Sequence, residues 1–200
     1  MTQQPVKVAL CGPPHSGKSC LREGLKQALM VLHRAGQSPY PYVLTACPDG
    51  EGAWYSEAAQ RDPALAKQLK TAYKTKFTWE FTDRVAASVR DISEPLTIID
   101  LGGMIDEKNR KILQYATHAV ILAGDMAQVP VWKETCSDLN VQVIALLQSD
   151  YEGTCDRIDS ETPMITGSIH YLKRGQDVSN RPMIQTLANY LVGLCDCWAH

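Results

Sequence analysis

The residues best suited to chemistry lie together near the N-terminus. Gly12-Pro13-Pro14-His15-Ser16-Gly17-Lys18-Ser19 fits G-x-x-x-x-G-K-[ST], the Walker A pattern. A loop of this kind wraps a phosphate with inward-pointing amides and adds the positive N-terminal end of the following helix. Gly12 and Gly17 supply tight curvature, Lys18 a point charge for the β- and γ-phosphates, and Ser19 a hydroxyl for Mg2+. The expected nucleotide shell is therefore Gly12, Pro13, Pro14, His15, Ser16, Gly17, Lys18, Ser19 and Cys20. Pro13 and Pro14 lack amide donors, so they must sit where no amide is needed.

Two acidic positions complete the chemistry. Asp100 closes the apolar run Leu96-Thr97-Ile98-Ile99 and precedes Gly102-Gly103, which gives it Walker B character as a carboxylate that holds Mg2+ beside Ser19. The competing reading is an acidic turn residue that caps the next helix. Asp49, in Pro48-Asp49-Gly50-Glu51-Gly52, is placed to act on an acceptor hydroxyl, with Glu51 in reserve; an Asp-Gly turn is the plainer alternative. Lys18, Asp49 and Asp100 are thus the expected catalytic set, and Ser19 and Asp100 the expected metal ligands. Arg61, Lys70 or Arg84 would supply a cation on the acceptor side.

These residues need elements to hold them. Val6–Cys11 reads as a strand and Ser16 to about Ala35 as a helix with Gly36 as its cap, so the loop sits between strand and helix as the pattern requires. Tyr42–Cys47 is a second strand. The stretch 53–92 is mostly helical and long for a connection, which suggests an acceptor-binding or lid insertion. Within it, Phe77 to Val89 carries an apolar stripe of Phe77, Phe81, Val85 and Val89. Its lysines Lys67, Lys70, Lys74 and Lys76 make either a solvated face or a nucleic-acid stripe. Strands follow at Leu96–Gly103, Ala119–Gly124 and Val141–Leu147, with helices at Glu107–Tyr115 and Val129–Leu139. Tyr151 to Pro163 reads as irregular, Met164–Leu172 as a further strand, and Met183 to Leu194 as a closing helix. Lys173-Arg174-Gly175 is a basic turn, either solvated or reaching phosphate or adenine. The alternation implies an α/β three-layer sandwich with a mostly parallel central sheet, the P-loop NTPase fold, in a single domain over 1–200.

Composition narrows the function classes. A net charge of −2 gives no bulk attraction to duplex nucleic acid or an anionic membrane. No apolar run approaches the ~20 residues that span a bilayer. The first five residues show no signal-peptide pattern and lead directly into the first strand. Seven cysteines, irregularly spaced and with no C-x-x-C pair, argue against zinc and for reduced thiols in a cytoplasmic protein; Cys195-Asp196-Cys197 comes nearest to a metal or redox pair. Leu147-Gln148-Ser149-Asp150 keeps only the Asp of an Asn-Lys-x-Asp guanine clamp, so a guanine-specific switch is not expected.

Three stretches together, Gly12–Ser19, Thr45-Ala46-Cys47-Pro48-Asp49-Gly50-Glu51-Gly52-Ala53-Trp54 and Ile99-Asp100-Leu101-Gly102-Gly103, resemble the P-loop (AAA-annotated) domain found fused to a small CRISPR-associated ring nuclease of type III systems. The resemblance extends through Ala119–Gly124 and Ser149-Asp150-Tyr151, and Pro48 to Trp54 is its more discriminating part. It implies a cytoplasmic role in antiviral defence near cyclic oligoadenylate signalling. No separate nuclease domain is visible, so no nuclease residues are carried over. The expected ligands are ATP and Mg2+. The leading expectation is a kinase-like phosphotransferase. An ATPase or nucleotide-gated module acting on a ring nuclease or a second protomer is the first alternative, weakened by Leu101 where a hydrolytic glutamate would follow Asp100. A cyclic-oligoadenylate or RNA-binding protein is the second.

Overall fold

The computed structural model describes residues 4–48 and 77–195. Asp49, Glu51, Arg61, the lysines at 67, 70, 74 and 76, and Cys197 lie outside the described residues. Seven strands form one sheet: β1 (Val6–Cys11), β2 (Pro41–Thr45), β3 (Leu96–Asp100), β4 (His118–Ala123), β5 (Gln142–Asp150), β6 (Arg157–Ser160) and β7 (Ile165–His170). Their order is β2-β3-β1-β4-β5-β7-β6. Every pairing is parallel except β6 against β7.

Parallel neighbours need crossovers, and helices supply them except between β5 and β7, where the antiparallel strand β6 makes the return. The described helices are α1 (Lys18–Arg34), α2 (Trp79–Asp91), α3 (Glu107–Leu113), α4 (Val129–Asp138) and α5 (Pro182–Leu194). Alternate residues of β1 serve the two faces. Val6, Val8 and Leu10 pack with Leu21, Leu25 and Leu29 of α1 and Ile184, Leu187 and Leu191 of α5. Ala9 and Cys11 pack with Val89 of α2, Ile112 and Leu113 of α3, and Trp132 and Cys136 of α4. β1 and β3 are buried along their whole length, as continuous apolar strands covered on both faces must be. Burying one such side chain is worth about 1.5–3 kcal/mol, so the two apolar layers lock the central strands in register. This is the three-layer α/β architecture expected from the sequence.

Local chemistry sets the ends of the elements. α1 stops where Gly36 takes φ 72° after the Ala35 cap. Gln37 N–H then bonds Leu32 O and Gly36 N–H bonds His33 O, a Schellman closure. Thr78 Oγ1 accepts from Phe81 N–H and starts α2 two residues later than the sequence suggests. Its buried face is Thr82, Ala86 and Val89, rotated from the expected Phe77-Phe81-Val85-Val89 stripe. Phe77 instead stacks edge-on against Phe81 at the margin of the core. The stretch 151–163, expected to be irregular, contains β6. That strand is short, polar and largely exposed, and it pairs on one side only, so it carries little of the apolar alternation that marks a strand in sequence.

Candidate functional site

The register of the central strands brings Asp100 beside the loop that follows β1. Asp100 closes β3 and pairs with Leu10 on one side and Thr45 on the other. The Gly12–Ser19 loop leaves β1 one residue beyond Leu10 and re-enters the fold as α1. The carboxylate and the loop hydroxyl therefore meet: Ser19 Oγ donates to Asp100 Oδ2 at 3.2 Å. Residues 81 positions apart are brought together by the pairing of β1 with β3.

The loop's shape depends on its glycines. Gly12 holds φ 134°, and a Cβ there would lie 1.9 Å from the Leu122 carbonyl oxygen. Gly17 holds φ 91° directly before α1, and a Cβ there would press on the Leu172 side chain at 2.7 Å. His15 takes φ 63°, an uncommon conformation for a residue with a side chain. Pro14 packs against the backbone at Gly103, where a Cβ would stand 2.6 Å from Pro14 N. The loop after β3 thus sits in van der Waals contact with the Walker loop, and Pro14 N, which carries no hydrogen, faces that contact.

Lys18 is buried, with Nζ donating to Gly12 O at 2.9 Å and Pro13 O at 2.8 Å. The ammonium is held inside the curl of the loop by the loop's own carbonyls. Ser16 is buried, and its Oγ has no hydrogen-bond partner. An unsatisfied buried hydroxyl costs about 1–3 kcal/mol, a cost that a hydrogen bond to a ligand oxygen would remove. A cavity of about 360 Å³ opens over these groups, lined by Pro14 to Cys20, by Asp100 to Met104, and by Thr45, Cys47, Leu172 and Arg174. Gly12 and Pro13, expected in the nucleotide shell, do not line this cavity; their carbonyls are turned to the Lys18 ammonium instead.

Cys11, immediately before the loop, is no nucleophile. Its hydrogen bond with Cys136 and its complete burial push the thiol well above its usual pKa. Arg174 reaches the cavity rim from the basic turn after β7 and is exposed there. Arg84 is exposed on α2 and does not line the cavity. Leu101, beside Asp100, is buried in the apolar core.

One residue at the site went unnoticed in the sequence. Arg22 Nη1 donates to Asp100 Oδ2 at 3.1 Å and lies 3.4 Å from Thr45 Oγ1. The available signal was spacing: Arg22 follows Ser19 by three residues on α1, which puts both on one helix face. Among the described residues no group of three or more His, Cys, Asp or Glu side chains gathers as a metal site. Among them, too, no helix is long and apolar enough to cross a membrane.

No protein-family model matches the chain, and no curated protein matches it. Solved structures do. The septum site-determining protein MinD from Pyrococcus horikoshii OT3, solved with Mg-ADP, superposes with a TM-score of 0.61 at 9% identity, over 98% of this chain and 99% of that one. A nucleotide-binding protein from Archaeoglobus fulgidus, solved with ADP, aligns over 97% of this chain and 86% of that one, at 11% identity and a TM-score of 0.44, too loose a likeness to add to the first. Strand order, mostly parallel pairing and the MinD likeness together give this chain the α/β fold of the P-loop NTPases.

Proposed function

We propose that the chain binds a nucleoside triphosphate with Mg2+ across the Gly12–Cys20 loop and transfers its terminal phosphoryl group. The observation that carries the binding half is the Ser19–Asp100 contact beside a buried, unpartnered Ser16 hydroxyl. Two hard oxygen ligands meet there at the mouth of an amide-lined loop, a donor set that suits Mg2+. Mg2+, held by Ser19 and Asp100, supplies charge neutralisation on the phosphate oxygens. A solved structure of this fold holding Mg-ADP supports the choice of ligand.

The chain's own groups divide the remaining work. Lys18 brings a positive charge to the β- and γ-phosphates. Ser16 donates a hydrogen bond to a phosphate oxygen, and the helix α1 N-terminus adds its dipole. Gly103, pressed against Pro14, sets how closely the loop after β3 approaches the terminal phosphate. Transfer also needs a base for the acceptor hydroxyl. We assign this to Asp49, which follows β2 in sequence, because Asp100 is engaged with Ser19 and Arg22 and position 101 is an apolar leucine.

The apolar Leu101 favours transfer over hydrolysis, and an ATPase or nucleotide-gated module is the second reading. The resemblance to the type III CRISPR-associated P-loop domain makes oligoadenylate the first acceptor to test. Phosphorus NMR of the protein with ATP and Mg2+, with and without an oligoadenylate pool, separates the two. A new phosphoester that needs the pool is the expected result. Free phosphate released regardless of the pool would overturn transfer in favour of hydrolysis. Under transfer, Asp49→Asn retains ATP binding and loses the phosphoester; equal loss of ATP binding would place Asp49 in the nucleotide shell instead.

A further inference from the structure

The carboxylate assigned to the metal already carries a cation of the chain. Arg22 Nη1 and Ser19 Oγ both donate to the same oxygen, Asp100 Oδ2. The ion pair is largely withdrawn from water: the side chains of Arg22 and Asp100 are 14% and 7% exposed. Leu21 and Leu25 anchor this part of α1 in the core, so the helix cannot turn to carry the guanidinium away. A second acceptor stands within the arginine's own reach. The same nitrogen already donates to Thr45 Oγ1, on the exposed end of β2, at 3.4 Å.

From this arrangement, and resting on the nucleotide reading above, we propose that Arg22 is a positioning residue that makes metal entry depend on nucleotide. Without nucleotide, the guanidinium neutralises Asp100, and a divalent cation approaching the carboxylate meets a fixed positive charge in a poorly hydrated site, where like charges repel strongly. A nucleotide brings several negative charges into the cavity and offsets that repulsion. Arg22 then yields Asp100 to the incoming ion and keeps Thr45 as its acceptor. The metal therefore loads with the nucleotide and not ahead of it. The ion pair also holds Asp100 in place until that moment, so no buried carboxylate is left uncompensated.

The test uses Mn2+ as the probe, read by electron paramagnetic resonance on the full chain, with and without ADP. The wild-type protein is expected to bind Mn2+ weakly alone and much more tightly with ADP. Arg22→Gln keeps a hydrogen-bond donor and removes the charge. It should tighten nucleotide-free Mn2+ binding by about ten- to a hundredfold, the range for losing one competing charge-assisted hydrogen bond. Arg22 has already left Asp100 once ADP is bound, so Mn2+ affinity with ADP should stay the same and the gain conferred by ADP should shrink by the same factor; by reciprocity, Mn2+ then tightens ADP by that much less. Unchanged or weaker nucleotide-free Mn2+ binding in a folded Arg22→Gln would overturn the proposal.

Thr45→Val is a second route that leaves the Arg22–Asp100 pair intact at an exposed position. It should weaken Mn2+ binding in the presence of ADP by about two- to tenfold, the worth of one long hydrogen bond at an exposed site, and change nucleotide-free Mn2+ binding less. No effect with ADP present would remove Thr45 as the receiving group and overturn the exchange. Calorimetry with ADP alone keeps the two levels apart. If ADP fails to bind the wild-type protein, the nucleotide reading falls and takes this one with it. If ADP binds but Arg22→Gln leaves Mn2+ binding as it was, only the role of Arg22 falls.

Discussion

Lys18→Ala is the sharpest test of the site, because the structure sets separate magnitudes for its effects on fold and on ligand. Lys18 opens α1, where alanine is at least as good a helix former, so backbone propensity costs nothing. The fold does lose the two hydrogen bonds from Nζ to Gly12 O and Pro13 O. Hydrogen bonds to a charged group are worth about 1.5–3 kcal/mol, and burial of the ammonium already offsets part of that, so a net loss of about 2 kcal/mol is expected. Against a typical stability of about 5–15 kcal/mol the fold survives, with a melting temperature lower by about 4–8 °C at this chain length. For the ligand, removing one charged donor from the phosphates should weaken MgATP binding by about ten- to a hundredfold, again from about 1.5–3 kcal/mol. Phosphoryl turnover should fall further, since the charge acts on the transferring group. Circular dichroism melting and titration calorimetry read the two halves on one preparation. A folded variant that binds MgATP as tightly as the wild type would refute the site assignment. A variant that fails to fold would refute the claim that Lys18 is held chiefly for its ligand.

Three further outcomes follow from particular contacts. Gly103→Ala places a Cβ 2.6 Å from Pro14 N and 2.8 Å from Pro14 Cα, backbone atoms that cannot swing aside, so it should destabilise by about 1–3 kcal/mol and weaken MgATP binding. Gly124→Ala, whose Cβ would make an ordinary 3.7 Å contact with Ser149 O, is the control and should change neither. Burial holds His118 below the usual histidine pKa, so the unfolded chain takes up a proton that the fold refuses. Stability contributed at His118 is then complete above pH 6.5 and lost as pH falls towards the lowered folded value; urea midpoints at pH 7.5 and 5.5 should differ less in His118→Gln. The fully buried Asp156 carboxylate accepts from His170 N, His170 Nδ1 and Met183 N, so Asp156→Ala should cost about 3 kcal/mol by stranding those donors, read in the urea midpoint.

The frame of this site was legible because each part follows from a local rule. The G-x-x-x-x-G-K-[ST] spacing fixes where the glycines and the lysine fall. The apolar run Leu96–Ile99 marks a strand buried on both faces and so puts Asp100 at its exit. Contacts created by strand order were not legible. That β3 lies directly beside β1, and β2 beside β3, is a property of the sheet, and it alone brings Arg22, Thr45 and Asp100 together. β6 escaped notice for a related reason, since an exposed edge strand carries no apolar alternation. On α2 the stripe was read one position away from the face that is buried, because large aromatics at Phe77 and Phe81 outweighed the small residues Thr82 and Ala86 that let α2 approach the core.

Asp100 gives the site its logic. A buried carboxylate must be compensated at every stage, or it takes up a proton and can no longer hold a metal. Here the compensation comes from the helix that also carries the Walker lysine and serine, and all three groups lie within five residues of one another on α1. Rigid packing of Leu21 and Leu25 fixes that helix against the sheet, so under the proposed exchange Arg22 leaves Asp100 by side-chain movement and not by movement of α1. Release of one carboxylate oxygen by an arginine that keeps its contact with Thr45 is a small change, and it lets the loop keep its positive-φ Gly12 and His15 conformations throughout. A site preorganised in this way places its specificity in the charge that arrives with the ligand. Nucleoside triphosphates should accordingly bind more tightly than monophosphates of the same base in titration calorimetry, and equal affinities would refute this reading.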